Sequence, residues 1–269
     1  MAEVPVLRLV KAQALGNDFL LAPAEDLPAG ADLPALAQQV CHRHHGVGAD
    51  GLMIVTRTAR GAVTRLLNAD GSRSEVSGNG VRCVAAWLAE ERALAAGATV
   101  LIETEAGPKT LALLAQSGSR RTFRAAMGPP EQVRTARLDV AGAQVEAVVL
   151  RVGNPQCVVL GEATMSRLHA IAGPLAVHPF FPEGTNVELA EVESPGRVRI
   201  LIWERGVGPT EASGTGACAA AVAAAAYGGA DRTVDVIAPG GTQRVEWTGD
   251  EIWLTGWAEL VARIEWWIR

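Results

Sequence analysis

The stretch Asn68-Ala-Asp-Gly-Ser-Arg-Ser-Glu-Val-Ser77-Gly-Asn-Gly-Val-Arg-Cys83 decides the fold of the first half of the chain. It is a polar, glycine-interrupted loop that reaches Ser77 and then runs directly into the apolar segment 84–88. A serine at such a boundary is typical of a helix N-cap, because its side-chain oxygen accepts a hydrogen bond from a first-turn N–H group. The stretch therefore predicts a loop, a serine cap and a buried helix.

The second half of the chain contains the same construction. The stretch Glu204-Arg-Gly-Val-Gly-Pro-Thr-Glu-Ala-Ser213-Gly-Thr-Gly-Ala-Cys218 leads into an alanine-rich apolar run. Subtraction places Ser213 136 positions after Ser77 (213 − 77), and the same offset relates Gly48-Ala-Asp50 to Gly184-Thr-Asn186. An offset of 137 relates Gly16-Asn17-Asp18 to Gly153-Asn154-Pro155. Three loop motifs that recur in one order at half the chain length indicate an internal duplication.

The two predicted helix starts share the pattern Ser-Gly-x-Gly, which favours an anion-binding site. First-turn N–H groups point outward along the helix axis, and the helix dipole adds roughly half a positive charge there. Glycines one and three residues after each serine would let a ligand approach the backbone closely. Capping without any ligand is the alternative explanation for either copy taken alone. Because there are two copies, we predict that both hold one negatively charged group.

The pattern of apolar segments indicates an α+β protein. Short strands surround each central motif, and the two helices that follow the serines have no polar face, so each is expected to lie inside its half. We predict two similar domains, each a mixed, barrel-like β-sheet wrapped around one central α-helix. The predicted boundaries are 1–125 and 126–258, and the last strand, 259–269, is expected to pair with the N-terminal domain.

Composition excludes several classes of protein. The chain is 49% hydrophobic and 20% charged, as expected of a globular protein, and its net charge of −5 with no basic cluster argues against a nucleic-acid partner. No apolar run is long enough for a membrane span and no signal peptide is visible, so a cytoplasmic location is expected. The four cysteines are scattered, and the cluster Cys41-His-Arg-His44-His45 lacks a second set of ligands, so no metal site is predicted.

Motifs in both halves resemble the diaminopimelate epimerase family. They occur in the family's order over almost the whole chain: Gly16-Asn-Asp-Phe19, Asn68-Ala-Asp-Gly-Ser72, Ser77-Gly-Asn-Gly80, Gly153-Asn-Pro155, Asn186-Val187, Glu204-Arg-Gly206, Gly214-Thr-Gly216, Pro239-Gly-Gly241 and Thr255-Gly256. The resemblance implies two mirrored domains with the site in the cleft between them. It also implies a small-molecule amino-acid substrate, and a homodimer is compatible with it.

The family resemblance implies inversion at an amino-acid α-carbon without a cofactor, normally between L,L- and meso-diaminopimelate, in lysine and peptidoglycan biosynthesis. One group removes the α-proton and a second delivers a proton to the opposite face. The sequence separately disfavours pyridoxal chemistry, because Lys11 and Lys109 are its only lysines and neither lies in a core-like segment.

The same resemblance assigns candidate residues. The positions of the family's two catalytic cysteines are Ser77 and Ser213 here, and a hydroxyl is a far weaker acid than a thiol. The implied substrate-binding residues are Asn17, Asn68, Gly78, Asn79, Asn154, Asn186, Glu204, Arg205, Gly214 and Thr215. Gln156 replaces the histidine that commonly follows Gly-Asn-Pro in the family.

Three hypotheses remain open from the sequence. The chain is an epimerase with serines at its acid/base positions, or a divergent or inactive paralogue that binds an amino acid. The third hypothesis is an isomerase whose bases are Glu75 and Glu211, each two residues before a serine. For these two glutamates a solvated loop acid is the more common role.

Overall fold

A computed structural model describes residues 6–74, 77–140 and 142–268. The chain divides into two compact units. Unit 1 contains the chain up to Ala125 and from Trp257 onward, and unit 2 contains Ala126–Gly256.

Unit 1 contains two helices and a set of short strands. A 3₁₀ turn at Ala24–Asp26 follows the second strand. The elements are β1 (Val6–Ala14), β2 (Asn17–Pro23), α1 (Leu33–Cys41), β3 (Gly51–Thr58), β4 (Gly61–Asn68), β5 (Arg73–Ser74), α2 (Gly78–Glu91), β6 (Thr99–Thr104), β7 (Gly107–Ser117) and β8 (Arg120–Gly128).

Unit 2 repeats this succession of elements. They are β9 (Glu131–Val140), β10 (Ala143–Val152), β11 (Asn154–Leu160), α3 (Met165–Ala176), β12 (Asn186–Ser194), β13 (Arg197–Glu204), β14 (Gly208–Thr210), α4 (Gly214–Tyr227), β15 (Thr233–Ala238), β16 (Gly241–Thr248) and β17 (Glu251–Trp267). The last part of β17 belongs to unit 1.

Strand pairing closes unit 1 into an eight-stranded barrel. The pairs β1–β2, β3–β4, β6–β7 and β7–β8 are antiparallel, whereas β2–β3 and β4–β6 are parallel. The end of β17 pairs with both β1 and β8 and so completes the ring. In unit 2 the order from β10 to β17 shows the same alternation of antiparallel and parallel pairs. The predicted α+β fold, with two similar barrel-like halves, is confirmed.

The two central helices form the cores of their units. In α2, Val84, Trp87 and Leu88 are buried against strands of unit 1. In α4 the buried residues are mostly alanine, which lets the surrounding strands approach the helix closely. Residues 79–89 of α2 and 216–224 of α4 are buried without interruption, as expected of helices that strands surround.

Three details of secondary structure differ from expectation. The sequence predicts that the first central helix reaches about Ala96, but α2 ends at Glu91. Arg92 turns away and donates to backbone carbonyls of Thr58 and Gly61, and Ala93 has a φ of +48°. The sequence predicts a loop over residues 11–19, but β1 continues to Ala14 and β2 starts at Asn17, so only a tight hairpin turn lies between them. The sequence does not predict the strand β9.

The end of the last strand belongs to unit 1. β17 runs antiparallel to β1, with Leu9 opposite Ile264. Within the described part of the chain, no helix has the length and apolar character needed to cross a membrane.

Candidate active site at two serine-capped helix starts

Each central helix begins at a serine cap, as predicted. Ser77 has extended backbone angles, and its Oγ accepts a hydrogen bond from the Gly80 N–H at 3.1 Å. Ser213 does the same with the Gly216 N–H at 3.2 Å. The outward-pointing N–H groups of each first turn make both helix starts suited to an anion.

Two asparagines of unit 1 are brought together at the start of α2. Asn79 is buried, and its side-chain amide donates to Asn17 Oδ1 at 3.4 Å. The guanidinium of Arg82, one turn further along α2, donates to Asn79 Oδ1. Asn17 in turn donates to Asp50 Oδ2 at 2.7 Å. This chain of contacts fixes the orientation of both amides and places a buried cation behind Asn79.

A strained hairpin positions Asn17. Leu15 and Gly16 have φ values of +57° and +87°, a combination found in tight two-residue hairpin turns. Leu15 is nonetheless fully buried, so packing holds a leucine in a conformation that normally favours glycine or asparagine. The turn starts β2 at Asn17.

A charged network supports the same region of unit 1. Asp18 forms ion pairs with Lys11 at 2.9 Å and with Arg43 at 2.9 Å, and Arg43 also reaches Asp50 at 2.8 Å. Burial acts to raise the pKa of Asp18, but hydrogen bonds from Arg43 and Lys11 outweigh burial and lower that pKa below its usual range. Asp50 was not chosen from the sequence, although it lies in one of the repeated loop motifs.

Asn68 lies in an exposed turn at the end of β4. Its side-chain amide donates to Ser72 Oγ at 2.9 Å, and its carbonyl accepts from the Gly71 N–H at 2.9 Å. The next residue, Ala69, donates its N–H to the Asp50 carbonyl at 3.0 Å. Asp50 therefore connects the Asn68 turn to Asn17.

In unit 2, polar residues gather at the starts of β11 and β12. Gln156 lies opposite Asn186 in the parallel register, and its amide donates to Asn154 Oδ1 at 2.6 Å. Asn186 Oδ1 accepts from the Arg205 backbone N–H at 3.0 Å, and the Arg205 guanidinium donates to the carbonyl of Glu183. Three predicted binding residues of unit 2 thus lie on neighbouring strand ends.

The carboxyl group of Glu204 lies beside the capping serine of α4. Burial raises the pKa of Glu204, and the hydroxyls of Thr210 and Ser213 partly oppose this rise by stabilising the charged form. Glu204 and Ser213 are therefore neighbours within unit 2. Gly214 and Thr215 occupy the first turn of α4 and are partly exposed.

The structure also places residues that belong to other hypotheses. Glu211 is exposed in the loop before Ser213, and Glu75 lies outside the described residues. Burial raises the pKa of Cys83 to about 12, which keeps this thiol protonated at neutral pH. Glu188 of β12, which sequence reasoning missed, is buried under α4. Its sequence signal is an acid between two apolar strand residues, Val187 and Leu189.

Strand register refines the internal repeat. The offset of 136 relates Asp50 to Asn186, but the ladders place Gly51 opposite Phe19 and Asn186 opposite Gln156. Asn186 is therefore equivalent to Gly51 in the barrel, one residue away from the sequence alignment.

The family model of diaminopimelate epimerase matches residues 9–133 and 148–261, which include both serine-capped helix starts. The chain belongs to the diaminopimelate epimerase family. It is 40% identical to a diaminopimelate epimerase of Desulfitobacterium hafniense over 277 residues, covering 95% of this chain and 96% of that protein. A chloroplastic diaminopimelate epimerase of Oryza sativa subsp. japonica is 36% identical, covering 95% and 78% of the two chains.

Solved structures with low sequence identity share the fold of this family member. A predicted epimerase from Pseudomonas aeruginosa superimposes with a TM-score of 0.75 at 15% identity, covering 98% of this chain and all of the other. A hydroxyproline epimerase from Agrobacterium vitis, with bound trans-4-hydroxy-L-proline, gives a TM-score of 0.71 at 16% identity and covers 98% and 93%. At these identities the likeness supports the fold alone.

Proposed function

We propose that the protein is a cofactor-independent amino-acid epimerase that exchanges the α-proton by a two-base mechanism, with L,L-diaminopimelate as the first substrate to test. The observation that carries this proposal is the match to the family across both units, each with its own serine-capped helix start. Inversion at carbon needs an acid/base group for each face and stabilisation of the negative charge that develops. One acid/base position from each unit meets the first need.

The α-carboxylate of the substrate is assigned to the helix starts. Gly78 has open space where a side chain would be, so a ligand can approach the backbone there. Asn79 adds an oriented amide with Arg82 behind it, and Gly214 and Thr215 are the corresponding residues of α4. Backbone N–H groups and the dipole of each helix favour the carboxylate and its charge in the transition state.

The remaining polar groups of the substrate are assigned to side chains at the strand ends. Amide groups both donate and accept hydrogen bonds, so they suit an ammonium group as well as a carboxylate. Arg205 is exposed and cationic, which suits a distal carboxylate. The assigned side chains are Asn17, Asn68, Asn154, Asn186 and Arg205.

With serine in place of cysteine, proton transfer is the most difficult step of the proposed reaction, because a hydroxyl is a far weaker acid than a thiol. Ser213 has a carboxyl neighbour, Glu204, that can take part in its proton transfer. At the position equivalent to Glu204, unit 1 has Asn68, which does not ionise. We therefore propose that the two half-reactions differ in rate, and that the step at Ser77 limits inversion.

A second candidate function is amino-acid binding without inversion. It is favoured by the serines themselves and by the raised pKa of Glu204, which makes that carboxyl less ready to be the charged base at mildly acid pH. A binding protein needs the helix starts and the polar strand ends but not the proton transfer.

Incubation in D₂O separates these functions. We expect ¹H NMR of L,L-diaminopimelate with the protein to show loss of the α-proton signal and the appearance of the meso isomer. Absence of exchange, together with binding detected by calorimetry, would establish the binding function instead.

Matched variants test the assigned acid/base positions. Exchange is expected to disappear in Ser77→Ala and Ser213→Ala but to persist in Thr164→Ala, which removes a helix cap at α3 outside the site. Exchange that survives both serine substitutions but is lost in Glu75→Gln or Glu211→Gln would move the chemistry to carboxylate bases.

A further inference from the structure

Glu188 is an acidic side chain in the core of unit 2. It is fully inaccessible to solvent, and among the described residues neither of its carboxyl oxygens has a hydrogen-bond partner. An ionised carboxylate without water or partner is strongly unfavourable, so a group in this position takes up a proton. Burial, and then the negative charge of Glu204, raise the pKa of Glu188 well above its ordinary range. Glu188 is therefore held as the neutral acid.

The carboxyl group of Glu188 lies directly under the first turn of α4. A Cβ placed on Gly216 would lie 2.6 Å from Glu188 Oε1 and 3.2 Å from the Cβ of Ser213. The Gly216 N–H is also the group that Ser213 Oγ caps. Glycine at position 216 thus makes room for the acid next to the capping serine.

Glu204 is the charged neighbour of this acid. Glu188 lies opposite Ile202 in the antiparallel register of β12 and β13. Because side chains alternate along a strand, Glu204, two residues after Ile202, faces the same side one diagonal step away. On β11 the ionisable residue is Cys157, which lies opposite Val187 and therefore points to the other face of the sheet from Glu188. Burial is the main cause of the raised pKa of this thiol. α4 contributes the backbone of Gly216.

The fold itself does not require an acid at this place. In unit 1 the equivalent position is Met53, and a Cβ placed on Gly80 would lie 2.7 Å from its Sδ. An apolar side chain therefore fills the same space under α2. Keeping an unpartnered acid under α4 instead costs stability, and such a cost is characteristic of functional positions.

We propose that Glu188 and Glu204 act as one carboxyl pair holding a single proton, carried on Glu188, and that Glu188 is a positioning residue that keeps Glu204 as the charged partner of Ser213. Two neighbouring carboxyls, Glu188 fully buried and Glu204 half-buried, resist a second ionisation. A second negative charge under α4 would also oppose the positive end of the helix and weaken binding of a substrate carboxylate. The proposal rests on the proposed epimerase function.

The pH profile of α-deuterium exchange tests the pair. Wild-type protein is expected to lose kcat/KM at alkaline pH, where the proton of the pair is lost and the second charge forms. Glu188→Gln keeps a neutral group of the same shape, so its alkaline limb should move up by at least about one pH unit, a tenfold gain in rate at fixed alkaline pH. The acid limb, set by Glu204, should stay in place.

A second measurement does not need substrate. A carboxyl with a raised folded-state pKa makes the folded protein hold a proton that the unfolded chain releases, so stability falls as pH rises above the unfolded value. The urea midpoint of the wild type should therefore fall as pH rises above the unfolded value of about 4.5, and Glu188→Gln should remove most of this fall. Glu188→Met serves if the glutamine variant does not fold, and Glu146→Gln, at an exposed position of unit 2, is the control.

The outcomes separate this proposal from the proposed function. Identical alkaline limbs in wild type and Glu188→Gln would overturn the carboxyl pair while leaving the epimerase intact. If no variant exchanges the α-proton, the epimerase proposal fails, and the unfolding series still decides the pair. In that case, an equal pH dependence of the urea midpoint in wild type and all variants would overturn the carboxyl pair.

Discussion

The two units place similar backbone under similar helix starts but put different side chains beneath them. The strand side chains beneath the start of α2 are apolar or neutral, whereas those beneath the start of α4 are polar and include two carboxyl groups. The unit 1 residues are Phe19, Met53 and Asn68, and the equivalent unit 2 residues are Gln156, Glu188 and Glu204.

This difference distinguishes the features that form the fold, which both units share, from the side chains around the candidate site, which differ. Serine caps, glycines in the first turn and the alternation of strand pairs are common to both units, and both units form a barrel around the capped helix. The three side chains beneath each cap are what differ between the units. The two capping serines of this family member therefore have different surroundings.

The largest expected effect comes from placing the acid of unit 2 into unit 1. Met53→Glu should destabilise the protein by about 3–5 kcal/mol at neutral pH, because it buries a carboxylate without a partner. Urea unfolding measures this loss. Met53→Leu is the control and should cost less than about 1.5 kcal/mol. If the glutamate variant is as stable as the leucine variant, unit 1 tolerates a buried acid beneath its central helix as well as unit 2 does, and the contrast between the units is wrong.

Restoring thiols should sharpen the difference between the two acid/base positions. In the double variant Ser77→Cys/Ser213→Cys, α-deuterium exchange should rise at least about a hundredfold, since two pK units of acidity correspond to about 2.7 kcal/mol. The negative charge of Glu204 should make the thiol of Ser213→Cys ionise at higher pH than that of Ser77→Cys. Alkylation rates against pH measure this, with the unmodified protein, whose four cysteines are buried, as the control.

Removing the serine caps tests whether the two helix starts contribute equally to stability. Ser77→Ala should cost about 1 kcal/mol, and Ser213→Ala should cost up to about 2 kcal/mol. The second loss is larger because Ser213 is more buried and faces Glu204. Denaturant unfolding measures both, with Thr164→Ala at α3 as the reference cap. If both serine variants lose the same free energy of unfolding, the prediction that the Ser213 cap contributes more than the Ser77 cap is wrong.

The smallest expected effect is an opposite response of the two units to pH. The lowered pKa of Asp18 contributes stability above its unfolded value of about 4, and this contribution is lost as pH falls through the folded value. The raised pKa of Glu188 has the opposite sign, so its cost grows as pH rises. Hydrogen exchange of peptides from α2 and α4 reports the stability of each unit separately. The loss of stability of unit 1 at low pH should be below about 1 kcal/mol. Asp18→Asn should abolish this loss in α2 and leave α4 unchanged.

Much of the fold could be predicted because its determinants are local. A serine followed by glycines and an apolar run specifies a capped helix from short-range hydrogen bonding and burial. The predicted extent of α2 was wrong by about five residues because Arg92 caps carbonyls on a distant strand turn, which no local pattern reveals. β9 was missed because its partner, β10, supplies the pairing that defines it.

The sequence by itself determined the repeat, the two caps, the family and the candidate residues, since these follow from residue order and motif identity. Only the tertiary structure decided that Asp50 joins Asn17 to the Asn68 turn and that Glu188, beneath Gly216, has no hydrogen-bond partner among the described residues. The physical reason is that the ionisation state of an acid in a strand depends on what packs over it. In unit 2, the helix that buries Glu188 comes from a segment more than twenty residues further along the chain.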